Sequence, residues 1–217
     1  MRLWLAMLLP TALVWLGMWP LADVRLSFLF YVLGGCLLGP FILLGVRPFS
    51  QRGAQPFWIG RRGSWQLFIW QLILLGPAFY LAYRLLLPWV GDPAASHVML
   101  LRLGWEDAHR QIYALLFLAF VPLAEEWWWR GRAQPLCERR WGTGRGRWIS
   151  AVLFALYHAF VLARMYPPLG VTLRMPVIVL GGRAWAAVSG RFGWGMSYAG
   201  HLIADATIVI MYLQQLR

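Results

Sequence analysis

The chain has 217 residues, of which 60% are hydrophobic, 16% aromatic and only 13% charged. A soluble domain carries about 45–50% apolar residues, so this composition excludes an ordinary aqueous globule and points to a bilayer. The net charge of +12 rests on arginines spread over short connections, with no stripe of alternating basic and polar residues, which argues against a nucleic-acid-binding face.

Apolar windows near the length of a membrane span predict helices over 3–20, 26–46, 65–90, 111–130, 148–166, 171–189 and 194–214. The expected fold is all-α, a polytopic transmembrane bundle of about seven spans within a range of six to eight. Arg2 precedes the first window, but no small-residue cleavage site follows, and the segment is read as a retained helix. Arg84 interrupts the third window. In the sixth, Arg174 and Arg183 flank a core of about eight residues, so that helix is expected to be short, tilted or partly re-entrant. Cys36 lies in an apolar segment and Cys137 in an arginine-rich connection, and different membrane depths argue against a disulfide between them.

Arg47, Arg52, Arg61 and Arg62 follow the second helix, and Arg132, Arg139, Arg140, Arg145 and Arg147 follow the fourth. Arg183 and Arg191 fall on the same side, with Asp23, Asp92, Glu106 and Asp107 opposite, so the amino terminus is expected in the cytoplasm. Tryptophans near helix ends, among them Trp65, Trp89, Trp127 to Trp129, Trp148 and Trp194, suit the membrane interface. The character of the chain changes near residue 110. Residues 1–110 form an N-terminal region of three spans known from hydropathy alone, and ionisable residues inside spans concentrate in residues 111–214.

Of the eight acidic residues, Glu125, Glu126 and Asp205 fall within or at the edge of spans. A carboxylate at the centre of a span costs about 2.5–3.5 kcal/mol, so it needs a partner, water or a function. Glu126 and Arg130 stand four residues apart on one helical face, where an ion pair would leave Glu125 about 100° around the helix. An interfacial ion pair at a helix end, capped by Gly131, fits that segment equally well. His158, in Phe154-Ala-Leu-Tyr-His158, reads alone as a buried histidine bonded to a carbonyl. His201 and Asp205 again share a face, and an internal hydrogen-bonded pair that holds helices together is their structural alternative. Together, three such constellations on separate spans supply what is needed to activate a water in a dry site.

In this order the residues read Glu125-Glu126-xxx-Arg130, Phe154-xxx-His158 and His201-xxx-Asp205. They resemble the EExxxR, FxxxH and HxxxN or HxxxD motifs of the CPBP intramembrane proteases, the CAAX-prenyl-protease-like and bacteriocin-processing (Abi) group that includes the eukaryotic Ras-converting endopeptidase. The resemblance covers roughly residues 111–214 and makes that region the expected catalytic core. Trp129 stands where phenylalanine is frequent, and Asp205 replaces the asparagine of the prenyl-protein branch.

The resemblance implies an intramembrane endopeptidase in a bacterial inner membrane, acting on a membrane-associated protein or a C-terminal-tail or leader peptide. It implies that Glu125 with His158 holds and activates the attacking water. His201 and Asp205 would orient it or stabilise the oxyanion, and Glu126 and Arg130 would support them. No cofactor is expected. Zinc held by Glu125, His158 and His201, with Asp205 as a further donor, stays open, although no HExxH motif is present and Arg130 disfavours a cation. Two other classes remain. A proton-coupled transporter would use the same intramembrane carboxylates and histidines, but neither inverted repeats nor paired broken helices are visible. A non-catalytic scaffold or immunity protein of the same fold is the other. Serine and aspartyl intramembrane proteases are excluded, since Ala187-Val-Ser-Gly190 lacks the first glycine of GxSG and no GxGD pair occurs.

Overall fold

A computed structural model describes residues 1–45, 54–90, 93–105 and 107–214. Arg47, Arg52, Asp92 and Glu106, used above for orientation, lie outside the described residues. Helix α1 spans Arg2–Met18, and α2 runs Val24–Leu44. Helix α3 is continuous through Ser64–Trp70, Gln71–Leu75 and Gly76–Val90, followed by α4, Pro93–Arg102. Then come α5, Arg110–Trp141, α6, Thr143–Met165, α7, Pro168–Phe192, and α8, Trp194–Gln214. Six helices are long and apolar enough to cross a membrane, and α1 is a shorter apolar helix of 17 residues. The expected multi-pass helical bundle is therefore what the chain forms, and the protein is an integral membrane protein. Helix α4, ten residues and absent from the sequence prediction, reaches only about 15 Å at 1.5 Å per residue.

Two predicted elements need correction. The fourth helix does not end at Arg130 with Gly131 as its cap. It continues through a π-helical stretch, Glu126–Ala133, and an α-helical one, Gln134–Trp141, so that Arg132, Arg139, Arg140 and Cys137 are helical. Guanidiniums laid on aromatic rings make this possible: Arg132 lies over Trp127 and Arg140 over Trp141. The sixth helix is neither short nor re-entrant but a continuous helix of 25 residues, with Arg174 over Tyr166 at 3.6 Å and Arg183 over Trp148 at 5.6 Å. Cys36 and Cys137 are buried and free, and Cys137 Sγ sits 3.8 Å from Met7 Sδ.

The order of contacts follows from small residues and caps. Asp23 caps α2, accepting from the backbone N–H groups of Arg25 (2.8 Å) and Leu26 (3.2 Å). Glycine at 35 lets α2 close onto α1, because a Cβ there would stand 2.8 Å from Pro10 Cα. Gly142, at φ 78°, turns the chain between α5 and α6. Gly146 then seats α6 against α5, where a Cβ would come within 2.6 Å of the Cys137 and Glu138 backbone. Arg147 closes that corner on Glu138 at 2.8 Å, and Gln134 Nε2 donates to the Ala186 carbonyl of α7 at 2.8 Å. The buried core draws on both sides of residue 110, from Met7, Val14 and Tyr31 to Trp128, Trp129 and Phe154. Helices α2, α5, α6 and α8 thereby meet at one level, where the intramembrane polar residues lie.

Candidate active site

Glu125 ends the α-helical part of α5 and Glu126 opens its π-helical part, so the two carboxylates leave the helix at a change of winding. Glu125 is 2% exposed and Glu126 fully buried. His201, on α8, lies between them. Its Nδ1 is 2.9 Å from Glu126 Oε1, and its Nε2 is 3.4 Å from Glu125 Oε2 and 3.6 Å from Asp205 Oδ2. A carboxylate can only accept from the ring, so Nδ1–H donates to Glu126 and Nε2 faces the other two carboxylates.

Glu126 has two further partners. Ser197 Oγ donates to its Oε2 at 2.5 Å, and Arg130 Nε stands 3.7 Å from the same oxygen. The Glu126–Arg130 pairing expected from i, i+4 spacing is thus present, and both side chains are buried. Among the described residues nothing accepts a hydrogen bond from the Arg130 guanidinium. It rests on the Phe154 ring, 4.7 Å from the centroid, in space left by Gly182, where a Cβ would lie 3.4 Å from Nη2.

Phe154 explains the spacing of its own motif. Its ring is met by Trp129 (6.2 Å), Tyr157 (6.0 Å), His158 (5.0 Å), Trp185 (6.3 Å) and His201 (5.8 Å), all edge-on. His158, one turn on, points Nδ1 at the Phe154 carbonyl, 3.3 Å away. A carbonyl only accepts, so Nδ1 carries the proton and Nε2 keeps its lone pair. Among the described residues no hydrogen bond joins His158 to Glu125. The contact runs through Tyr157, which stacks on His158 at 4.0 Å and donates its hydroxyl to Glu125 Oε1.

The structure therefore brings Glu125, Glu126, Arg130, His201 and Asp205 into one cluster, with His158 one side chain away. Four contributors were not singled out from the sequence. Ser197 precedes His201 by four residues, so helical spacing could have found it. Tyr157, next to His158, and Trp185, stacked on His201 at 4.4 Å and 18°, carried no charge to mark them. Tyr31, from the N-terminal region, packs against Tyr157 with ring centroids 4.4 Å apart.

Among the described residues, no three histidine, cysteine or carboxylate side chains are grouped to hold a metal ion. His158 turns one nitrogen to a backbone carbonyl, His201 is divided among three carboxylates, and the Arg130 cation lies beside them. This donor set does not fit the zinc site left open by the sequence, and no step below passes through a metal.

Residues 108–207 match the model of the Rce1-like family, described as type II CAAX prenyl endopeptidase Rce1-like. The matched stretch, just under half of the chain, is similar to that Rce1-like family. The three motifs all fall within the matched residues, as do Tyr157, Trp185 and Ser197, whereas Tyr31 lies outside. An Rce1-like region and six helices long and apolar enough to cross a membrane support a membrane-embedded peptidase. No curated protein and no solved structure matches the chain.

Proposed function

We propose that the Rce1-like region hydrolyses a peptide bond in the C-terminal tail or leader peptide of a membrane-associated substrate, using a water activated by Glu125 and His158. Glu125 Oε2 takes one proton as the water oxygen attacks the scissile carbonyl carbon. His158 Nε2, free because Nδ1 is committed to the Phe154 carbonyl, accepts the water's second hydrogen. The carbonyl electron pair moves onto oxygen, and His201 Nε2–H, protonated in the imidazolium form, donates to that oxyanion. Collapse breaks the C–N bond, and the proton held on Glu125 passes to the leaving amine. Glu126, fixed by Ser197 and Arg130, sets the direction of the His201 ring. Asp205 balances the charge of His201 from the opposite side. The amino terminus is proposed in the cytoplasm of a bacterial inner membrane, from the arginine asymmetry of the connections.

The observation that carries this reading is the approach of His201 Nε2 to Glu125 Oε2, 3.4 Å apart with both side chains nearly inaccessible. Carboxylates this deeply buried in an apolar bundle are expensive to keep and are supported here by donors on three helices. Peptides released from membranes containing the wild-type chain, compared with those containing Glu125→Gln or His158→Ala, test it. The wild-type membranes are expected to release products absent from both variants, and the same products at the same rate from Glu125→Gln would overturn the proposal.

A further inference from the structure

Glu125 is held on both sides. Its Oε2 faces His201, while Oε1 accepts the hydroxyl of Tyr157 on α6. Tyr157 in turn packs its ring on Tyr31 of α2, with centroids 4.4 Å apart, and the Tyr31 hydroxyl accepts from Trp129 Nε1–H on α5 at 3.2 Å. All four side chains are buried: Trp129 is fully inaccessible, Tyr31 1%, Tyr157 6% and Glu125 2% exposed.

The chemistry of the two ends fixes the direction of both hydrogen bonds. An indole N–H can only donate and an ionised carboxylate can only accept. Trp129 thus donates to Tyr31 and Tyr157 donates to Glu125, and the packed rings of Tyr31 and Tyr157 join the two bonds into one buried support for the carboxylate. Two of the three π-helical stretches among the described residues, Phe30–Leu38 and Glu126–Ala133, carry Tyr31 and Trp129 respectively. Such stretches are frequent where a helix must aim a side chain at a functional site.

We propose that Tyr157, held by Tyr31 and Trp129, is a positioning residue that pins Oε1 of Glu125 and leaves Oε2 as the only oxygen able to take a proton from water. The N-terminal region thus contributes to the site through Tyr31, although no motif of the matched family lies there. The inference rests on the role given to Glu125 above. Tyr157 is buried with its hydroxyl on Glu125, so the hydroxyl acts through that carboxylate and affects turnover more than binding.

The test uses the full chain in proteoliposomes with a membrane-anchored reporter peptide cleaved by the wild type, and compares Tyr157→Phe, Tyr31→Phe, the double variant and Glu125→Gln. Tyr157→Phe is expected to lower kcat about 10- to 100-fold, the range for supporting groups around a site, with KM within about twofold of wild type. Tyr31→Phe lowers kcat less, and the double variant falls no further than Tyr157→Phe, because Tyr31 acts through Tyr157. Should Tyr157→Phe fail to fold, Tyr31→Phe carries the test, with a fall in kcat at constant KM expected. Unchanged kcat in the folded tyrosine variant, or a loss confined to KM, while Glu125→Gln is inactive overturns the positioning role and leaves the role of Glu125 standing. An active Glu125→Gln overturns both.

Discussion

His201 makes its closest hydrogen bond to Glu126 and not to Asp205: Nδ1 lies 2.9 Å from Glu126 Oε1, whereas Nε2 is 3.6 Å from Asp205 Oδ2. The four-residue spacing of His201 and Asp205 places both on one helical face, yet the shorter bond runs to the neighbouring helix. The second glutamate of the first motif instead joins α5 to α8, through Ser197 and His201 together.

Glu126 and its neighbour Glu125 should therefore separate in their effects. Glu126→Gln leaves Arg130 buried without its counter-charge, and breaking a buried pair from one side costs about 3–5 kcal/mol. Thermal unfolding in detergent should show that loss, together with a fall in kcat. Glu125→Gln removes one of three clustered carboxylates and is expected to unfold no earlier than wild type while losing activity. Equal stability of the two variants would contradict the division.

Trp185 lies flat on His201, 4.4 Å between centroids at 18°. Face contact with a histidine that carries charge during turnover is worth about 0.5–2 kcal/mol, so Trp185→Leu should lower kcat about 2- to 30-fold. Trp185→Phe should retain most of the activity, since it preserves an aromatic face. Steady-state cleavage of a reporter peptide distinguishes the two substitutions.

Much of this was legible in the sequence, and the misses share a cause. Apolar windows found the spans because lipid-facing positions must be apolar whatever the tertiary fold. The same windows ended α5 at Arg130 and shortened α7, because arginine was read as a connection signal. Arg130 on Phe154 and Arg183 on Trp148 show that aromatic faces receive those charges within the helices. The three motifs were legible because i, i+4 spacing is set by the helix itself, as in Glu126–Arg130. Tyr31 was not legible: its meeting with Tyr157 depends on how α2 packs on α6, which no local pattern encodes. Ser197 stood in the same helical register as His201 but lacked the charge that drew attention to Asp205.

Asp23, the N-cap of α2, is bound by Arg25 and two backbone N–H groups, and the Arg25 side chain holds its carboxyl below the usual range. A carboxyl whose folded value is depressed stabilises the fold above its unfolded value of about 3.9, and that contribution is lost as pH falls through the lower folded value. Asp23→Ala should then destabilise by about 0.5–2 kcal/mol near neutrality. Unfolding measured down to strongly acidic pH should show the difference from wild type shrinking below about pH 3.9, and a difference that grows on acidification would contradict the cap.

The donor arrangement around His201, divided among Glu125, Glu126 and Asp205 with Arg130 alongside, predicts turnover that survives chelation. Cleavage by protein dialysed against a strong zinc chelator should match that of untreated protein. Loss of activity restored by stoichiometric zinc would require His158 and His201 to rearrange into a ligand set.

The central claim is that a water activated by Glu125 attacks the peptide bond directly. Single-turnover cleavage of a membrane-anchored peptide in heavy-oxygen water tests it most closely, read by mass spectrometry of both the new carboxyl terminus and the peptide of the enzyme that contains Glu125. The label is expected in the product carboxylate and not in Glu125. Label found in Glu125, with ordinary oxygen in the first product, would mean that the carboxylate itself attacks and would contradict the account.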